Sequence, residues 1–203
     1  LRNKEEYLHD NIETRLSNSD NSYATHIIGG VFQDSHPQTK SEGGWVWAKN
    51  PEYKNNPKAR NDSQDDVARM TTEWAGLVKK NLKNRKFKIT HQHLIELAMK
   101  HNVLHGKWLL NIKPENIQTD WPRIRNALVE GKLGSTAKIS DEPQNGTHVV
   151  CIYCPDFRDK DELLRVRKAI SNDVGMYGNS VMRFKLDAVT YLDIYSGNQW
   201  KLK

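Results

Sequence analysis

The stretch HGKWLLNI, residues 105–112, is where the interpretation of this chain begins. A lysine and a tryptophan follow the glycine, and the apolar run after them carries no charge until Lys113 and Pro114. A short apolar run between breaker residues is typical of a buried β-strand. The open question is whether Trp108 belongs to a core or to a binding surface. The other aromatic residues raise the same question.

The composition of the chain limits the classes of protein to consider. The 203 residues are 36% hydrophobic and 28% charged, with a net charge of +6 and a pI of about 9.2. This length suits one domain with a tail. No run approaches the ~20 apolar residues that a membrane span needs, so none is expected. The mildly basic balance suits an anionic partner without requiring one.

Periodicity on both sides of this strand predicts the other elements. Apolar residues at helical spacing predict a helix over 67–82, and Thr90 is a candidate N-cap for the next. In the strand GGWVWAKN, Trp45 and Trp47 are two residues apart and therefore share a face. The remaining predicted elements, in chain order, are a helix over 119–134, a hairpin of STAKIS and THVVCIYC around DEPQNGT, the helix DELLRVRKAI, and strands in VMRFKLDAVTYLDIY and NQWKLK.

This order predicts an α+β fold with helices on one face of a mainly antiparallel sheet. Residues 1–42 are rich in Asn, Ser, Asp, Lys and Glu. They are expected to form a tail that is partly disordered or peripheral. The domain is expected to span 43–203.

Four segments carry a resemblance to a known family: HGKWLLNI, DWPRIRNALVEG, STAKIS and HVVCIYCPDFRDKDELLRVRKAI. Their order and spacing resemble the cap-binding translation initiation factor 4E over residues 43–195. GKWLL, the hairpin and the ending YLDIYSGNQWKLK are closer to the Bles-type (basophilic leukaemia-expressed protein) family. The resemblance implies a curved, mainly antiparallel sheet with about three helices on its convex face, and it places Trp108 in the core.

The resemblance also implies a cap site of two aromatic rings, a carboxylate and basic residues in a concave cleft. Trp47 and Tyr53 stand where the first ring is expected, although Tyr53 could equally pack on the rim. Tyr153 matches a further aromatic position, with a core role as the alternative. Lys138 and His148 are the basic residues nearest the hairpin turn. The segment HLIELAMKHNV lacks the Trp–acid pair, so cap recognition is expected to be lost or altered.

Trp74 matches the tryptophan of a dorsal helix that binds partner peptides in the initiation factor. The resemblance therefore implies a helical peptide partner at this position. The alternative is that Trp74 completes the stripe of Met70 and Leu77, which would place it in the core.

A basic segment, KKNLKNRKFK at 79–88, has six basic residues in ten positions. Such a cluster attracts phosphates, and Phe87 could add base stacking. The alternative is a solvated helix end. The candidate nucleic-acid-binding residues are Lys79, Lys80, Lys83, Arg85, Lys86 and Lys88.

No catalytic signature appears in the chain, and no cofactor is expected. His101 and His105 are one helical turn apart, but the sequence lacks the HExxH pattern, so no metal site is expected. The leading hypothesis is a non-catalytic module that binds RNA or a nucleotide. The alternatives are a protein-interaction adaptor that uses Trp74 and, more weakly, an enzyme acting in the concave cleft. We expect a cytoplasmic location, with the nucleus as a second one.

Overall fold

The computed structural model describes residues 25–28, 31–55, 62–84, 86–176 and 182–202. No helix in these ranges is long and apolar enough to cross a membrane. The predicted α+β class and the antiparallel sheet are both confirmed.

In the described ranges, eight strands form two sheets. Six of them make an antiparallel sheet in the order β3-β4-β6-β7-β5-β8, and β1 pairs with β2. The segment GKWLLNI is β5, which lies between β7 and β8 as an inner strand. The strand bounds are β1 Thr25–Ile28, β2 Val31–Asp34, β3 Thr39–Glu42, β4 Trp45–Lys49, β5 Gly106–Ile112, β6 Thr136–Ser140, β7 His148–Cys154 and β8 Arg183–Leu186.

The part of the chain that the structure describes also contains five α-helices. Ser63 caps the first helix by accepting a hydrogen bond from Asp66 N–H, and Thr90 caps the second in a capping box with His93, as its sequence predicts. Asp159 caps the fourth helix. The helix bounds are α1 Gln64–Lys83, α2 His91–Lys100, α3 Ile117–Val129, α4 Lys160–Asn172 and α5 Asp187–Tyr191, with short 3-10 helices at Tyr53–Asn55 and Pro114–Asn116.

Helices α3 and α4 cover one face of the six-stranded sheet. Trp121 and Ile124 of α3 and Val166 of α4 are fully buried in one cluster with residues from β4, β5, β6 and β7. Trp108 belongs to this cluster, is 8% exposed, and meets the Phe184 ring edge to face at 5.1 Å. The prediction that Trp108 is a core residue is therefore confirmed.

Helices α1, α2 and α5 share a second buried cluster. Met70, Trp74 and Leu94 pack there with Val189 and with Leu202 from the end of the chain. The predicted strand NQWKLK is wrong, because Trp200 joins this cluster from turn and coil. The strand predicted over VMRFKLDAVTYLDIY is right only for Arg183–Leu186, since α5 begins at Asp187.

Residues 31–42, which the sequence assigns to the tail, supply β2 and β3. Phe32 is 1% exposed within the main core. Asp34 pairs with Arg125 of α3 at 2.8 Å, and both side chains are fully buried. Packed structure therefore begins before the predicted boundary at residue 43, because an ion pair and an aromatic side chain tie this segment to α3. Residues 1–24 lie outside the described residues.

Candidate functional site

The face of the sheet opposite α3 and α4 carries a cleft of about 410 Å³. Small-molecule sites in proteins range from about 300 to 1,000 Å³, so this cleft has room for a ligand. Its lining comes from six separate parts of the chain. The lining residues are Trp47, Asp62, His105, Lys107, Ser135, Thr136, Lys138, Tyr153, Asp187, Thr190 and Tyr191.

A row of rings and lysines crosses this face. The Trp47 and Tyr153 rings are stacked, with centroids 6.1 Å apart and planes 15° apart. Lys138 Nζ lies 3.8 Å from the Trp45 ring centroid and 4.7 Å from that of Trp47. Lys107 Nζ lies 5.2 Å from the Tyr153 ring centroid. Cations within about 6 Å of a ring centroid are attracted to the ring face, so each lysine stabilises the row.

Strand pairing explains why these side chains meet. Trp47 is directly opposite Lys138 in the β4–β6 pair, and Lys107 is opposite Tyr153 in the β5–β7 pair. Because side chains alternate between the faces of a strand, Lys107 points away from the core that holds Trp108. The predicted shared face of Trp45 and Trp47 is confirmed.

Two carboxylates, each with a side-chain nitrogen nearby, form the other wall of the cleft. Lys107 Nζ lies 2.7 Å from Asp187 Oδ1 and donates to Thr190 Oγ1 at 3.3 Å. His105 Nδ1 lies 2.9 Å from Asp62 Oδ1. Lys107 and Asp187 are both less than 10% exposed, so this pair holds its charges largely away from water.

Burial shifts the pKa of several groups in the cleft and beside it. It raises the pKa of Tyr191 to about 12, with the charges of Asp187 and Asp62 adding to the effect. It also raises the pKa of Tyr153, so both phenols stay protonated donors at neutral pH. Desolvation lowers the pKa of Lys138 and of Lys185, and the nearby positive charge of Lys107 adds to both shifts.

The structure brings together three of the five predicted cleft residues. Trp47, Lys138 and Tyr153 line the cleft, whereas Tyr53 is half-buried outside its lining. His148 is wrong as a cleft residue: it is 2% exposed, its Nδ1 lies 2.8 Å from Ser140 O, and its ring meets Phe32. His148 and Tyr153 are five positions apart on β7, an odd number that places them on opposite faces.

Sequence reasoning missed the wall formed by Asp62, His105, Lys107 and Asp187. The alternation along GKWLLNI could have predicted the position of Lys107. Lys107 is next to the core residue Trp108 on the strand, so its side chain faces the opposite side of the sheet. No local pattern pairs Asp62 with His105 or Lys107 with Asp187, because 43 and 80 positions of chain separate the partners.

The basic segment lies away from the cleft. Its five described lysines, Lys79, Lys80, Lys83, Lys86 and Lys88, are all exposed, and Arg85 is outside the described residues. Phe87 is half-buried, with Lys80 Nζ 4.4 Å from its ring centroid and the His93 ring 5.4 Å away.

Trp74 is 6% exposed and packs edge to face on Trp200 at 5.1 Å between centroids. Trp74 therefore completes the apolar stripe of its helix, and its indole lies in the second core. A buried indole offers no surface for a peptide to dock on.

A family model for the basophilic leukemia-expressed protein Bles03 matches residues 71–193. The chain belongs to this family. The matched region begins within α1 and ends in the turn after α5, so it contains β5 to β8 and most of the residues that line the cleft.

Solved structures of initiation factor 4E proteins are similar to part of the chain. A complex of C. elegans eIF4E-3 with the 4E-binding protein Mextli and a cap analog has 17% identity and a TM-score of 0.39, covering 44% of this chain and 54% of that one. Ascaris suum eIF4E-3 with an m2,2,7G cap has 15% identity and a TM-score of 0.38, covering 50% and 56%. The chain thus spans little more than half the length of these proteins.

Proposed function

We propose that this protein binds RNA or a nucleotide in the cleft by stacking an unpaired base against Trp47 and Tyr153. The observation that carries the proposal is the parallel arrangement of these two rings in a cleft of about 410 Å³. Unpaired bases are recognised in proteins mainly by stacking on aromatic side chains. Stacking is tolerant of sequence because every base has a π-face.

Lysines on the same face supply partners for phosphates. Lys107 and Lys138 line the cleft, and Lys185 is opposite Lys107 in the β5–β8 pair. Phosphate contacts provide affinity without sequence selectivity, whereas contacts to the base edge provide selectivity. Asp187 is an acceptor in the same cleft and suits the N–H donors of a base edge.

The proposed mode differs from ordinary cap recognition. In the segment before β5, Glu96 is exposed on α2 and accepts a hydrogen bond from Gln92 Nε2 at 2.9 Å. It does not line the cleft. An altered pocket for a base, rather than a cap pocket with a tryptophan and an acid at this position, is therefore the function proposed.

Titration of the full chain with a single-stranded RNA oligonucleotide, followed by calorimetry, tests this proposal. Trp47→Ala removes one stacking surface and should weaken binding about 5- to 100-fold, since base–aromatic stacking contributes ~1–3 kcal/mol per base. Trp45→Ala is the matched control, because Trp45 is on the same strand and the same face but does not line the cleft. Equal losses in both variants, or no binding by the unmodified chain, would contradict the proposal.

A further inference from the structure

We infer that the cleft selects an uncharged base over a positively charged, methylated base, and that Lys138 determines this selectivity. The inference rests on the proposed binding function and names the class of base that the same site takes. The decisive feature is the position of the lysine ammonium groups relative to the aromatic rings of the cleft.

Each aromatic ring of the row already has an ammonium group close to it. Lys138 Nζ lies 3.8 Å from the Trp45 ring centroid and 4.7 Å from that of Trp47. Lys107 Nζ lies 5.2 Å from the Tyr153 ring centroid. A positively charged base is attracted to aromatic rings in the same way as these lysines. Such a base would therefore compete with ammonium groups that belong to the protein.

Strand pairing fixes the position from which the Lys138 side chain extends. Lys138 is directly opposite Trp47 in the β4–β6 pair and opposite Cys151 in the β6–β7 pair. Its neighbours on β6, Ala137 and Ile139, are fully buried in the core. Because side chains alternate between the faces of a strand, Lys138 leaves the sheet on the cleft face beside Trp47.

The two lysines of the cleft differ in how their charge is compensated. Lys107 Nζ lies 2.7 Å from Asp187 Oδ1, so this pair adds little net charge. Lys138 is half-buried, and within the described residues no carboxylate is at ion-pair distance from its Nζ. Asp62 belongs to the other wall, and its side chain is 1% exposed. The excess positive charge beside the rings therefore lies at Lys138.

A base stacked on Trp47 lies close to this charge. Stacked rings are about 3.4 Å apart, so the base is within about 8 Å of Lys138 Nζ even on the far face of the indole. At an effective dielectric constant of about 20, repulsion between two like charges at that distance weakens binding roughly tenfold or more. An uncharged base meets no such repulsion, and its carbonyl oxygen or ring nitrogen can accept a hydrogen bond from the ammonium group.

This repulsion has a different effect from the missing tryptophan–acid pair. Lost contacts alone would leave guanine and 7-methylguanine equivalent as ligands. Repulsion of the positive charge on the methylated base makes guanine the preferred ligand, because specificity also comes from an unfavourable contact with the wrong ligand.

Calorimetric titration of the full chain with guanosine triphosphate and with 7-methylguanosine triphosphate measures this selectivity. The titrations are made at a mildly acidic pH, where the methylated base keeps its positive charge. We expect guanosine triphosphate to bind at least about tenfold more tightly. Lys138→Met keeps the length of the side chain without its charge, so the ratio should fall to about one or below as the rings become available to a cation. Lys138→Arg keeps the charge and should keep the preference.

Lys49→Met is the matched control. Lys49 is on the same strand and the same face as Trp47, but it is exposed and does not line the cleft. Its replacement removes the same charge from the same face of the sheet. It should change the affinity for both nucleotides alike and leave their ratio as in the unmodified chain.

Equal or tighter binding of 7-methylguanosine triphosphate by the unmodified chain would overturn the inference and leave the proposed function intact. The same ratio in Lys138→Met as in the unmodified chain would also overturn it. If neither nucleotide binds, the proposed function fails and the inference fails with it. If Lys138→Met does not fold, Lys138→Gln removes the same charge and makes the same test.

Discussion

At the scale of single residues, alternation along the strands determines which side chains face the cleft. Trp47 and Lys138 line it, and each neighbours an apolar residue that faces the core. His148 faces the core, because it is five positions from Tyr153 on β7. This period of two is visible in HVVCIYC, so the sequence alone contains the information to exclude His148.

Trp74 carries the first prediction at this scale. Trp74→Ala should lower the free energy of unfolding by about 3–5 kcal/mol, because it leaves a cavity beside Trp200 in the second core. Chemical denaturation measures this loss. Leu82→Ala is the control on the same helix, since Leu82 is 69% exposed, and it should change stability by less than ~0.5 kcal/mol. A small effect of Trp74→Ala would restore the hypothesis of an exposed peptide anchor.

At the scale of elements, the helices and the central strands are predictable because their apolar periodicity is regular and their caps are standard. The segment 31–42 is not, because its contribution rests on contacts with residues far along the chain. Asp34 accepts from Trp121 Nε1 at 2.7 Å and from Arg125 Nη1 at 2.8 and 2.9 Å, and these partners are 87 and 91 positions away. Without knowledge of these distant partners, the polar composition of residues 31–42 predicts a tail.

Asp34 supplies the prediction for this scale. Asp34→Ala should cost about 3–5 kcal/mol of stability, because it leaves the buried Arg125 guanidinium without its carboxylate. Glu42→Ala is the control: its pair with Lys40 is exposed to solvent, so stability should hardly change. Denaturant midpoints of both variants make the comparison. Equal midpoints for Asp34→Ala and the unmodified chain would show that β2 is dispensable, as the predicted tail implies.

At the scale of the whole molecule, the fold class follows from the order of the elements, but the cleft does not. Its walls come from β4, from Asp62 two residues before α1, from β5, β6 and β7, and from α5. Only tertiary pairing brings Asp62 to His105 and Asp187 to Lys107. No local sequence pattern predicts that these side chains pair, because the partners are far apart in the chain. The resemblance to a known family helps only where a motif position has a counterpart, and these two pairs have none among the cap-site positions.

Helix α1 sets the distance for the last prediction. Asp62 lies at the cleft two residues before the helix begins, and Lys80 and Lys83 lie in the last turn of the helix. Twenty residues at 1.5 Å each separate the two ends by about 30 Å. At a stacked rise of about 3.4 Å per nucleotide, about nine nucleotides cover this distance. We therefore propose that the basic segment contacts the backbone of an RNA whose base occupies the cleft.

Oligonucleotides of about nine nucleotides or more should then bind more tightly than tetranucleotides and with a steeper salt dependence, because a second contact on one strand raises the effective concentration. Replacing Lys83, Lys86 and Lys88 by Ser should lower the salt slope for the long oligonucleotide by about two, since each phosphate contact contributes about 0.7 for a single strand. Tetranucleotide binding should not change. The control variant replaces Lys113, Lys160 and Lys168 by Ser. These lysines are exposed, so their replacement removes the same charge from another part of the surface. Equal slopes in the two triple variants would place the second contact outside the basic segment and return these lysines to the role of a solvated helix end.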